Sequence, residues 1–186
     1  MRDLMNCRAC GLCRERQNVV CPDGDPLSPV AFVGEAPGKK EDETGRPFQG
    51  RSGKVLDSLL EEEGVPRSSI FITNTVKCRP PGNRVPTREE MAACLPNLEE
   101  ELQDRRLIVA LGRTAASDLL RREVRLSEEL NKVAKVTIRG REIDIVVTYH
   151  PAASFYNSKV KDALRQTIRI ARTYLEGRGS ASSKGI

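Results

Sequence analysis

The sequence predicts an α/β protein, a three-layer α/β/α sandwich around a mainly parallel four-stranded sheet. Three observations predict it. Four short apolar runs recur along the chain, helical stretches separate them, and the unusual residues gather where the runs end. A length of 186 residues suits one such domain with a real core.

The expected strands are Val30–Gly34, residues 70–74, Leu107–Leu111 and residues 143–149. Each is rich in Val, Ile or Phe without strict alternation, as suits strands buried on both faces of a parallel sheet. Residues 54–63 place Val55, Leu56, Leu59 and Leu60 on one helical face. Thr87-Arg88-Glu89-Glu90 is a capping-box pattern that opens the next helix, and Pro96 should end or kink that helix just after Cys94. Residues 114–122 form a shorter helix. Val160, Leu164, Ile168, Ala171 and Leu175 mark the buried face of a long C-terminal helix. Arg139-Gly140 is a turn between residues 135–138 and 143–149, both extended. With no internal repeat, the expected domain is 1–176, followed by a Gly/Ser-rich mobile tail, 177–186.

With 31% charged and 38% hydrophobic residues, the chain can bury a core, which excludes a disordered protein. No apolar run approaches the roughly 18 residues that cross a membrane, and the first residues lack the apolar stretch of a secretory signal. A cytoplasmic monomer without a membrane partner is expected. Residues 158–186 hold seven Lys/Arg and two acids, so they carry the entire net charge of +5. Such a segment attracts a polyanion or is a solvated helix face.

Six cysteines and one histidine argue for thiolate-rich metal or redox chemistry rather than disulfides in a cytoplasmic protein. Cys7-x-x-Cys10 near the N-terminus and the distant pair Cys78 and Cys94 can hold a zinc ion or an iron–sulfur cluster. Either would pin the N-terminal arm to the domain. Cys13 and Cys21 do not complete a ferredoxin-like run, because Cys21-Pro22 comes too far after Cys13.

In open α/β sheets ligands bind beyond the carboxyl ends of the strands. Gly34-Glu35-Ala36-Pro37-Gly38 follows the first run, Asn74 ends the second, Gly112 follows the third and His150-Pro151 the fourth. Together with Cys7-x-x-Cys10, Thr44-Gly45-Arg46-Pro47-Phe48, Thr73-Asn74-Thr75-Val76-Lys77-Cys78-Arg79-Pro80-Pro81 and Cys94, these segments closely resemble the family 4 uracil-DNA glycosylases from Cys7 to about Asn157. The resemblance implies removal of uracil from single- or double-stranded DNA in base excision repair. It also implies a 4Fe–4S cluster on Cys7, Cys10, Cys78 and Cys94, structural or DNA-positioning in role. It further implies that the loop from His150 to Asn157 enters the minor groove while the uracil is flipped out.

The chemistry assigns roles to the motif residues. A uracil extruded from the stack needs an aromatic platform, for which Phe48 is placed. It needs a reader of its Watson–Crick edge. Asn74 offers both an acceptor and a donor, matching N3–H and O4 and opposing cytosine. By resemblance, Glu41 crowds the position of a thymine methyl. Glu35, Ala36 and Pro37 help to hold the base. Cleavage leaves negative charge near O2, which a donor from His150 would stabilise. A carboxylate can stabilise oxocarbenium character in the sugar and orient water; Glu35 is the first choice and Asp42 the second. Arg51, Ser52 and Gly53 at a helix start should contact phosphate, with Lys77, Arg79, Arg84 and the C-terminal helix as weaker candidates.

Two rival readings use part of this pattern. A relative that bonds covalently to DNA through a histidine would carry an added basic loop with a second His, and there is none. A non-catalytic Fe–S DNA-binding module would keep the cysteines and basic residues, but would not need Phe48, Asn74 and His150 together.

Overall fold

The computed structural model describes residues 4–177, so the expected tail beyond Gly177 lies outside the described residues. Six strands form one sheet: β1 (Asp23–Gly24), β2 (Val30–Gly34), β3 (Phe71–Asn74), β4 (Leu107–Leu111), β5 (Val133–Ile138) and β6 (Arg141–Thr148). Their order is β1-β3-β2-β4-β6-β5. The inner four are parallel, and β1 and β5 add antiparallel edges. The expected four-stranded sheet is therefore the centre of a mixed six-stranded one. The turn at Arg139-Gly140 closes the β5–β6 hairpin with both residues at positive φ, 48° and 79°, which matches the twist of paired strands.

Among the described residues six α-helices accompany the sheet: α1 (Lys39–Thr44), α2 (Arg51–Glu62), α3 (Arg88–Leu102), α4 (Arg113–Leu120), α5 (Leu126–Glu129) and α6 (Lys159–Leu175). Successive strand residues point to opposite faces, and the core divides accordingly. Val30 and Phe32 of β2 pack with Leu56, Leu59 and Leu60 of α2 and Leu164 and Ile168 of α6. Ala31 and Val33 pack on the other face with Leu98 and Leu102 of α3 and Leu119 of α4.

Two expectations are corrected. α3 does not end near Cys94 but continues through Pro96 to Leu102. Proline removes one helical hydrogen bond, but Leu98 and Leu102 beyond it are fully buried against the sheet, and that burial outweighs the loss. The basic C-terminal helix is largely neutralised. Arg165 pairs with Glu62 at 2.8 Å, Arg169 with Glu63 at 2.8 Å, and Arg172 donates to the Glu63 carbonyl at 2.9 Å. These arginines clasp α6 to the end of α2 rather than forming a free cationic face. Among the described residues no helix is long and apolar enough to cross a membrane.

Candidate active site and cysteine cavity

The carboxyl ends of β2 and β3 and the segment after β6 meet around a cavity of about 340 Å³. Glu35, Ala36, Pro37, Glu41, Phe48, Asn74 and His150 all line it, so every sequence-predicted base-binding residue is brought to one place.

Glycine makes that convergence possible. A Cβ on Gly34 would collide with Asn74 Oδ1 and lie 2.6 Å from Phe48 Cζ, so only glycine lets both side chains approach the end of β2. Phe48 is 5% exposed and sits at φ 53°, a left-handed backbone that costs a non-glycine residue of order 1–3 kcal/mol. Its ring stacks beside His150, with centroids 5.8 Å apart and planes inclined by 28°.

Asn74 is 4% exposed, and among the described residues no protein group hydrogen-bonds its side-chain amide. Facing the cavity, this amide is free to bond a ligand that supplies its partners. The backbone N–H of Ala152 donates to His150 Nδ1 at 3.2 Å. Nδ1 is thus the acceptor, which leaves the proton of the neutral ring on Nε2. Burial pushes the His150 pKa down to about 4, against a smaller upward pull from the Glu41 carboxylate. The imidazole is therefore a neutral donor near pH 7.

The acids separate by what they bind. Glu41 stands in the cavity wall, but its carboxylate accepts N–H bonds from Gly38 (3.0 Å), Gln49 (2.7 Å) and Gly50 (2.7 Å). It staples the loop carrying Phe48 to the Gly34–Gly38 motif. Asp42 is corrected as a catalytic candidate. It is 2% exposed, lies outside the cavity wall, and accepts from the backbone of Gln17 at 2.9 Å and Asn18 at 3.3 Å. Its neighbouring position on α1 faces it toward the N-terminal arm. Glu35 lines the cavity, half-buried, and no described residue hydrogen-bonds its carboxylate.

The expected phosphate contacts divide. Arg51 is exposed and lies over the Phe155 ring at 4.6 Å, and Ser52 reaches the cavity wall. Gly53 is corrected: it is buried, and a Cβ there would collide with the Phe48 carbonyl, so it serves close packing. Arg79 is half-buried, its Nε donating to Asn83 Oδ1 at 2.7 Å. Lys77 is also corrected. At 1% exposure and paired with Glu101 at 2.7 Å, it cannot reach DNA. Sequence reasoning gave no role to Asn83, whose positive φ of 55° places it in the cavity wall beside Arg84. Asn83 follows a glycine in a Pro-rich loop, which is the signal available for such a turn.

A second cavity is lined by Cys7, Cys10, Cys78 and Cys94, with Cys13 also in its wall and Leu12, Val19, Val76 and Ala93 forming an apolar surround. Burial pushes the Cys78 thiol up to about 11, while an N–H bond from Arg16 at 3.2 Å pulls it down. Burial also raises Cys94. The donors are thiols alone, as soft metal centres require. Among the described residues no three His, Cys, Asp or Glu side chains converge to hold a single metal ion. Cys21 lies apart, its sulfur 4.0 Å from that of Met5.

Comparison with known proteins places the chain in a family. Residues 21–171 match the family model described as the uracil DNA glycosylase superfamily. A Type-4 uracil-DNA glycosylase of Pyrobaculum aerophilum is 45% identical over 157 residues, covering 81% of this chain and 80% of its own. One of Thermotoga maritima is 39% identical over 183 residues, covering 93% and 91%. A Type-5 uracil-DNA glycosylase of Pyrobaculum aerophilum is 33% identical over 150 residues, covering 72% and 65%.

Proposed function

The chain belongs to the uracil-DNA glycosylase superfamily, and we propose that it hydrolyses the N-glycosidic bond of uracil flipped out of DNA, leaving an abasic site for repair. The observation that carries the reading is the pairing of an unpartnered Asn74 amide with a neutral His150 donor in one cavity.

In this reading the base stacks on Phe48. The Asn74 carbonyl accepts from N3–H and its amino group donates to O4; cytosine presents the reverse pattern and is refused. Glu41, immobilised by three backbone amides, fills the wall where a thymine methyl would need space. As the glycosidic bond breaks, negative charge gathers at O2 and the His150 Nε2–H bond to it strengthens. With Asp42 bound to the arm, Glu35 is the carboxylate that stabilises the cationic sugar and orients water. Arg51 and Ser52 contact backbone phosphate. The segment from His150 to Asn157 approaches the minor groove, where Phe155 and Tyr156 are 41% and 92% exposed.

Cys7, Cys10, Cys78 and Cys94 would hold a 4Fe–4S cluster, whose contribution is to pin the arm to the sheet domain.

The non-catalytic alternative has no use for a cavity that gathers Phe48, Asn74 and His150, and the named relatives are glycosylases. The test is release of uracil from a labelled oligonucleotide, with thymine and hypoxanthine controls. Uracil release is expected. Binding without release under conditions where the protein is folded would overturn the reading.

A further inference from the structure

We infer that Lys77 is a positioning residue for base recognition: its buried ammonium, clamped by Glu101, grips the Asn74 main-chain carbonyl and so aims the Asn74 side-chain amide. The inference rests on Asn74 reading uracil. It assigns a role to a lysine that the fold removes from the DNA surface.

The ammonium has three donors, and all three are used. Lys77 Nζ donates to Thr73 Oγ1 at 2.5 Å, to the Asn74 carbonyl at 2.7 Å and to Glu101 Oε2 at 2.7 Å. Thr73 Oγ1 in turn donates to Glu101 Oε2 at 2.9 Å. The clamp therefore grips two successive residues at the end of β3, and the second of them is Asn74. Among the described residues no group hydrogen-bonds the Asn74 side chain, so its main chain sets the direction of its amide. On one side that main chain is in register with Gly34 of β2, and the following N–H, of Thr75, donates to the Gly34 carbonyl at 2.9 Å. On the other side it is held by Lys77. The Lys77 carbonyl accepts from Val20 at 2.8 Å, which fixes the residue from which the ammonium reaches back.

Stability alone gives no reason for this pair. Among the described residues buried Glu101 Oε1 has no hydrogen-bond partner, so the carboxylate is incompletely compensated. An apolar pair of similar volume commonly serves a core as well as a buried ion pair. What it could not supply is a donor at the Asn74 carbonyl.

The test is the double variant Lys77→Met/Glu101→Gln, which removes both charges and keeps the volume. Its melting temperature, its maximal excision rate and its half-saturating concentration of uracil-containing DNA are compared with wild type. Free-uracil inhibition is measured alongside. A misaimed Asn74 weakens base binding in ground and transition states alike. Half-saturation and the uracil inhibition constant should therefore rise about tenfold, while the maximal rate changes less than about threefold. A folded double variant with wild-type half-saturation overturns the inference. Should it not fold, Glu101→Gln alone keeps the Lys77 donor but loosens the clamp. Half-saturation should then rise about threefold, and an unchanged value overturns the inference equally. Wild-type protein that releases no uracil would defeat the functional reading instead, so the two failures are distinguishable.

Discussion

The two cavities are built on opposite plans. Around the base cavity the walls come from strand ends and from segments stapled to them, and the functional side chains are fixed before any ligand arrives. Phe48 is held in a left-handed backbone, Glu41 by three amides and His150 by the Ala152 N–H. Around the cysteine cavity, buried Cys78 and Cys94 belong to the sheet domain, whereas Cys7 and Cys10 are half-exposed on an arm with little regular structure. The sheet makes the first site, whereas the second draws its thiols from both the sheet domain and the arm. Substitutions at the first should change chemistry at nearly constant stability, and substitutions at the second should do the reverse.

The sharpest test is His150→Ala. Single-turnover excision should slow by roughly 10²–10³-fold, the loss expected for one oxyanion donor. Affinity for uracil-containing DNA should change far less, because intact uracil is neutral. If affinity collapses while the rate at saturating enzyme survives, His150 docks DNA and the comparison fails. Asn74→Asp comes next. Uracil excision should fall by about 10–10²-fold, since an ionised carboxylate cannot donate to O4 and a buried unpaired group costs about 1–3 kcal/mol. Near-complete retention would make Asn74 a turn residue.

The cysteine cavity should respond in stability. Cys94→Ser should lower iron content and melting temperature together, by several degrees for a domain of this size. Cys13→Ser should leave iron unchanged although Cys13 shares the wall. Iron loss on Cys13→Ser would place that thiol among the ligands.

Proton dependence gives a smaller effect. The fold favours neutral His150 and lowers its pKa from 6.5 to about 4. The stability linked to it is complete above 6.5 and lost as pH falls toward 4. Excision should therefore be flat as pH rises through 6.5 and decline only toward 4, and a rate that drops above 6.5 would mean that the charged ring is needed. The smallest change is expected from Arg51→Gln, which should reduce the slope of log affinity against log salt by about one unit.

Much of this was legible in the sequence, for physical reasons. The parallel strands are fully buried runs, and long apolar stretches announce themselves. β1 has two residues and carries no pattern of its own. α1 is Lys-Lys-Glu-Asp-Glu-Thr, without one apolar side chain, because it is anchored by backbone N–H bonds accepted by the Glu41 and Asp42 carboxylates rather than by a greasy face. Phe48, Asn74 and His150, which the fold brings to one cavity, could be singled out because their residue types match the chemistry of a base. Lys77 and Asp42 misled because charged residues are expected at surfaces. The partner that lets Lys77 be buried, Glu101, lies 24 residues away and shows only when α3 packs against β3. Gly53 misled in the same way: a helix start suggested phosphate, while the close approach of Phe48 appears only in three dimensions.

The clasp between α6 and the end of α2 alters how the protein meets DNA before any contact forms. Electrostatic steering depends on where unneutralised charge lies, not on its sum. Arg165 and Arg169 lie within ion-pairing distance of Glu62 and Glu63, so their fields largely cancel beyond about one Debye length of roughly 8–10 Å. Encounter torque therefore comes mainly from the exposed cations elsewhere, Arg51 beside the cavity among them. Adding salt should slow association through that mouth, while Glu63→Gln, which frees Arg169 on the helical flank, should increase unproductive collisions with the same strand of DNA.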